Sequence, residues 1–181
     1  MVNVLRPVTP DFLEHAPVRL VSTARLRAEP EAVFQELTED ASTWPQWFRE
    51  IRSARYTGPP PHGVGAGRAV ALRGGVRLVE SVLVCDPPRR FVYRVEQVNV
   101  PSVRAWAEEW LLSPAPDGGT ALRFTIAVET PLSVGLLLTA IRPGVSRSVR
   151  IAARRLDARC GNGVSSGVGG SGVGGSGVGG S

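Results

Sequence analysis

A strand-like run from Val103 to Leu112 sets Arg104, Trp106, Glu108, Trp110 and Leu112 on one face, and smaller residues with Glu109 on the other. In a sheet that curls, the bulkier and more aromatic face is expected to line the hollow, because large side chains must partly fill the space inside. That orientation carries Arg104 and Glu108 inward. A carboxyl walled by indole rings has its charged form disfavoured, so it can hold or move a proton as a general acid or base. The same pair could instead anchor a ligand hydroxyl or carbonyl, or satisfy itself as a structural ion pair.

Glu80 shares a strand side with Val76, Leu78, Val82 and Val84, so it is a lone carboxylate among apolar groups and needs a partner, with Arg73 and Arg104 as candidates. The opposite side, Val79, Leu83 and Cys85, is nearly as apolar, and the strand does not declare its inner face. Tyr93 lies with Phe91 and Val95, where its hydroxyl suits either a ligand carbonyl or the backbone. Trp44 and Trp47 suit the floor or mouth of a cavity, or plain core. Phe124 alternates with polar neighbours on the apolar face of the strand Ala121 to Thr130. The residues expected at a ligand are therefore Trp44, Trp47, Glu80, Tyr93, Arg104, Trp106, Glu108, Trp110 and Phe124, with no catalytic role assigned. Cys85 and Cys160 lack neighbours at metal-ligand spacing, so no metal is expected. Without a phosphate-binding glycine loop, a His-Glu metal motif or a nucleophile elbow, no cofactor is expected either.

The elements that must position these residues follow from punctuation. Residues 1 to 17 carry Pro7, Pro10 and Pro17 and read as a loosely ordered leader with one short helical turn. Val18 to Arg27 alternates as a strand, and Pro30 opens a helix with Glu31 in its first turn and Val33, Phe34 and Leu37 as its buried stripe. A second short helix carries Trp44, Trp47, Phe48 and Ile51. After the Gly58 to Gly63 loop, strands are predicted at Arg68 to Arg73, Val76 to Cys85, Phe91 to Val98, Val103 to Leu112 and Ala121 to Thr130. The separators are short and rich in glycine and proline, which makes an antiparallel meander. Ser133 to Arg159 is helical, interrupted at Pro143-Gly144, with Val145, Val149, Ala152 and Leu156 on its apolar side. Residues 161 to 181, in which Gly-Val-Gly-Gly-Ser recurs three times from Gly167 to Ser181, are expected to be a flexible tail, leaving one domain over 18 to 160.

The segments Pro30-Glu31-Ala32-Val33-Phe34, Trp44-Pro45-Gln46-Trp47, Pro87-Pro88-Arg89-Arg90-Phe91-Val92-Tyr93-Arg94 and Trp110-Leu111-Leu112-Ser113-Pro114 carry a resemblance. Over residues 18 to 159 the chain resembles the SRPBCC, or START-like, superfamily, and within it the polyketide cyclase/dehydrase and lipid-transport group. The resemblance implies an α+β helix-grip fold, in which a curved antiparallel sheet wraps a long C-terminal helix and two short helices follow the first strand. Pro143-Gly144 departs from the uninterrupted helix usual in that family and bears on the shape of the cavity's lid. The function expected is binding of a hydrophobic, lipid- or polyketide-like small molecule between sheet and helix. A cyclase/dehydrase enzyme using the same cavity is the alternative.

All 21 basic residues are arginine, so the net charge of +5 reads as a compositional preference more than a polyanion site, and no nucleic-acid partner is expected. Arg147, Arg150, Arg154, Arg155 and Arg159 near the tail suit a solvated helix face, the expected reading, or contact with an anionic membrane surface or partner. The start of the chain has no apolar run of signal-peptide length, and Val134 to Ile141 is too short to span a bilayer, so a cytoplasmic location is expected.

Overall fold

Proline and glycine set the boundaries of the structure, a computed structural model that describes residues 2–164. Strand β1 (Asn3–Val4) and helix α1 (Phe12–His15) precede β2 (Val18–Leu26) and α2 (Pro30–Thr38). Next, a 3-10 turn (Ala41–Thr43) leads into α3 (Trp44–Trp47). The strands β3 (Ile51–Tyr56), β4 (Gly67–Leu72), β5 (Arg77–Asp86), β6 (Arg90–Val98), β7 (Ala105–Pro114) and β8 (Thr120–Glu129) then run consecutively. Helices α4 (Leu132–Ala140) and α5 (Arg142–Val164) close the described chain. The sheet order is β2-β8-β7-β6-β5-β4-β3, every pair antiparallel, with β1 added against β6. The result is the expected α+β helix-grip arrangement, a curled sheet with a long C-terminal helix packed against it.

Pro30 occupies the first turn of α2, where a missing amide costs nothing, and Val33, Phe34 and Leu37 bury its inner stripe. Helix α5 turns Val149, Ala152, Ala153 and Leu156 into the core, and Asp157 accepts the backbone amides of Arg27 and Ala28 at 2.8 and 2.9 Å. That carboxylate ties the helix to the chain leaving β2. Tyr56 donates to the Thr38 carbonyl at 2.7 Å, fixing β3 against the end of α2, and the half-buried His62 ring stacks on the Tyr56 ring.

The leader is docked, contrary to the loose segment expected. Leu5, Val8 and Leu13 are buried, and the outer face of the sheet offers α1 a shallow bed of Ala105, Ala107 and Ala127 beside Val92. Small residues let a helix lie close, so their side of the strands is covered and not wet. The C-terminal helix breaks at Ile141, before Pro143-Gly144, because Pro143 is tolerated in the first turn of a new helix. Its second part continues past Cys160 to Val164, while the predicted flexible tail otherwise lies outside the described residues. On α4 only Gly135 is buried, held against Val18, and Leu132, Leu136 and Leu137 are exposed. Among the described residues no helix is long and apolar enough to cross a membrane.

Candidate functional site

Strand parity aims the polar residues of the interior at one another. On β7 the inner face is Trp106, Glu108, Trp110 and Leu112, and on β6 it is Phe91, Tyr93 and Val95. On β5, Leu78, Glu80 and Val82 point inward, and a register shift between Val82 and Val84 then passes Val84 to the outer cluster. This bulge is why the strand read as apolar on both sides.

Glu80 is 3% exposed and meets a partner that neither sequence candidate supplied: Arg68, 1% exposed, directly opposite it on β4. Arg68 Nε donates to Glu80 Oε2 at 2.8 Å and Nη2 stands 2.7 Å from the same oxygen. The guanidinium also lies over the rings of Trp44 and Tyr93, at 4.2 and 4.3 Å from their centroids. Burial disfavours the ions, but the carboxylate holds Arg68 protonated, with its pKa above the ordinary value. A guanidinium that cannot lose its proton in turn requires an ionised partner at this distance, although burial pushes the Glu80 carboxyl upward.

Glu108 stands apart from that pair. Its Oε2 accepts from the Tyr93 hydroxyl at 2.6 Å and its Oε1 from Trp106 Nε1 at 3.0 Å, while Trp110 Nε1 donates to the Tyr93 oxygen at 3.1 Å. Among the described residues no arginine forms an ion pair with it. Burial, reinforced by the negative charge of Glu80, pushes its pKa up to about 7, the two donated hydrogen bonds and Arg68 pulling the other way. Tyr93, buried and facing Glu108, is pushed well above the ordinary phenol value and keeps its proton.

These groups border a cavity of about 210 Å³ between the sheet, the α3–β3 corner and the first turns of α5. Trp44, Glu80, Tyr93, Trp106, Glu108 and Phe124 line it, as does Phe48, and Ile126, Val145 and Val149 complete much of the apolar wall. Trp47 and Trp110, 0% and 1% exposed, form the packed layer behind, Trp110 stacking tilted on Phe124 at 4.2 Å. Arg104 is exposed and lies outside the site. The chain turns at Ser102, which has a positive φ, and β7 begins only at Ala105, so the alternation does not extend back to Arg104. Ile126 and Val149 were legible as the apolar faces of their elements, and Phe48 as part of the aromatic cluster. Arg68 was the residue missed, although Arg68 and Val70 share the inward side of β4. The rim holds Glu50, exposed, and Ser148; both also line an adjoining surface groove with Arg49 and Arg147. The site is thus a small, largely apolar hollow with one carboxyl that gains or loses its proton near neutral pH.

The family model for polyketide cyclase / dehydrase and lipid transport matches residues 17–161. An uncharacterized protein of Mycobacterium tuberculosis is 31% identical over 145 residues, covering 80% of this chain and 86% of its own. Among solved structures, a START superfamily protein from Mycobacterium smegmatis superposes with a TM-score of 0.65 at 16% identity, over 80% of this chain and 97% of that one. The di-domain ARO/CYC StfQ from the steffimycin biosynthetic pathway gives a TM-score of 0.65 at 14% identity, over 82% of this chain and 52% of that one. At those identities the structural likeness concerns the fold.

Proposed function

The chain belongs to the polyketide cyclase / dehydrase and lipid transport family, and from that premise we propose that it binds a hydrophobic small molecule in the cavity beneath the start of α5. The observation that carries this reading is the void itself. Protein cores are close-packed, and an apolar hollow of about 150 Å³ is already enough to admit benzene. A hollow of about 210 Å³ suits a single ring with a short side chain, and a larger guest would have to extend through the rim at Glu50 and Ser148 into the adjoining groove. Enclosure by Trp44, Phe48, Trp106 and Phe124 supplies affinity, and Glu108 supplies orientation.

Two measurements test it. Mass spectrometry of the organic extract of the purified protein is expected to find a compact aromatic or alicyclic molecule. The substitution Ile126→Trp places an indole in the cavity and is expected to weaken binding of 2-phenylethanol, measured by calorimetry, by roughly tenfold or more, at a stability cost of about 1–3 kcal/mol. Equal binding by the folded variant would place the guest elsewhere.

Glu108 favours a second reading, an enzyme of the cyclase/dehydrase kind, since a carboxyl with its pKa near 7 is matched to proton transfer at neutral pH. If a short β-polyketone is cyclised or dehydrated, Glu108→Gln is expected to lower kcat by roughly 100-fold or more. Unchanged turnover would remove Glu108 from that role.

A further inference from the structure

Resting on the reading that the cavity holds a guest, we infer that the guest is a compact hydrophobic amine, bound as its ammonium ion between Glu108 and the aromatic wall. The charges decide the class. Arg68 and Glu80 cancel as an ion pair, so ionised Glu108 leaves one negative charge in the interior without a counter-ion among the described residues. A bound ammonium completes the balance, whereas a carboxylate ligand would add a second uncompensated negative charge in a place that cannot hydrate it. A fatty or aromatic acid is therefore the wrong guest.

The donor and acceptor pattern agrees. Glu50, Glu80 and Glu108 all line the cavity, and they are acceptors when ionised. Tyr93 and Trp106, the donors nearest Glu108, are already committed to its oxygens. A guest that meets Glu108 must therefore bring its own N–H or O–H group, Ser148 offering a hydroxyl only at the rim. The walls suit a cation too: Trp44 and Tyr93 hold the Arg68 guanidinium over their faces, and Trp106, Phe48 and Phe124 offer rings to the cavity. The carboxylates do not converge on one point, for no group of three acidic, histidine or cysteine side chains among the described residues is placed to hold a metal ion. The cation that fits is organic. Arg49 and Arg147 flank the neighbouring groove and do not line the cavity.

The test uses three probes of one skeleton, 2-phenylethylamine, 2-phenylethanol and phenylacetate, titrated calorimetrically into the purified protein. The amine is expected to bind at least about tenfold more tightly than the alcohol above neutral pH, the discrimination supplied by one charge-assisted hydrogen bond, and the acid at least about tenfold more weakly. The amine's advantage should fall as the pH drops below about 7 and Glu108 takes a proton, with Tyr93 on β6, Arg68 and Glu80 on β4 and β5, and Glu50 at the rim being the other titratable groups around it. Glu108→Gln is expected to bring the amine-to-alcohol affinity ratio to about one. Binding of the alcohol with no preference for the amine, or tightest binding of the acid, overturns the amine and leaves the cavity reading standing. If none of the three binds, the cavity reading falls and this inference with it. The pH series on the unaltered protein decides the matter even if the variant does not fold.

Discussion

Replacing Arg68 by Met will cost about 3–5 kcal/mol of folding free energy near neutral pH, a large part of the roughly 5–15 kcal/mol available to a domain. Methionine fills much of the same space between Trp44 and Tyr93, so lost packing is the smaller part of the loss. The larger part is Glu80, left as a buried carboxylate with no cation. Two controls separate these contributions. Arg68→Met combined with Glu80→Leu removes both charges and should recover most of the loss, because an apolar pair of similar volume is often neutral relative to a buried ion pair. The single variant should also regain stability as the pH falls and Glu80 takes a proton, since neutralising the stranded carboxyl relieves its desolvation. Urea midpoints at about pH 7.5 and about pH 5 read both effects. A single variant within about 1 kcal/mol of the parent at both values would mean that the pair does not hold the floor of the cavity.

That pair also marks the limit of what the linear sequence discloses. Strand and turn boundaries were legible because Asp86-Pro87-Pro88, Asp117-Gly118-Gly119 and Gly74-Gly75 interrupt alternating runs, and such interruptions are local chemistry. Glu108 was legible for the same reason, its neighbours two residues away being tryptophans. Arg68 as partner of Glu80 was not, because it follows from the register between β4 and β5, twelve residues apart, and register is a non-local property. Arg104 misled for a complementary reason: alternation was carried back from Ala105, where the strand begins, to Val103 and Arg104, which lie between it and the turn at Ser102. The docking of the leader depended on the three outward alanines of β7 and β8, which read singly as unremarkable and matter only together as a surface.

Glu108 is predicted to make the protein less stable as the pH rises, and Glu108→Gln to abolish that part of the slope. The carboxyl's pKa is about 7 in the folded protein against 4.5 in the unfolded chain, so folding prefers the protonated form. Its favourable contribution is complete below about pH 4.5 and is lost progressively as the pH climbs through about 7, after which the deficit is constant. A displacement of that size corresponds to about 3 kcal/mol at most, or on the order of 6–12 °C in Tm for a domain of this length. Glutamine keeps the shape and has no charge to bury: its carbonyl can accept from Trp106 Nε1 and its amide can donate to the Tyr93 oxygen, the Tyr93 hydroxyl then turning its own proton toward the cavity. The difference in Tm between variant and parent should therefore be small near pH 5 and grow to several degrees in favour of glutamine above about pH 8. Parallel curves would show that Glu108 titrates as it does in water. The other carboxylates are present in both proteins, so the comparison isolates this one group. A saturating amine should then narrow the gap, because it stabilises the ionised parent more than the glutamine variant, which binds the amine only as it binds the alcohol.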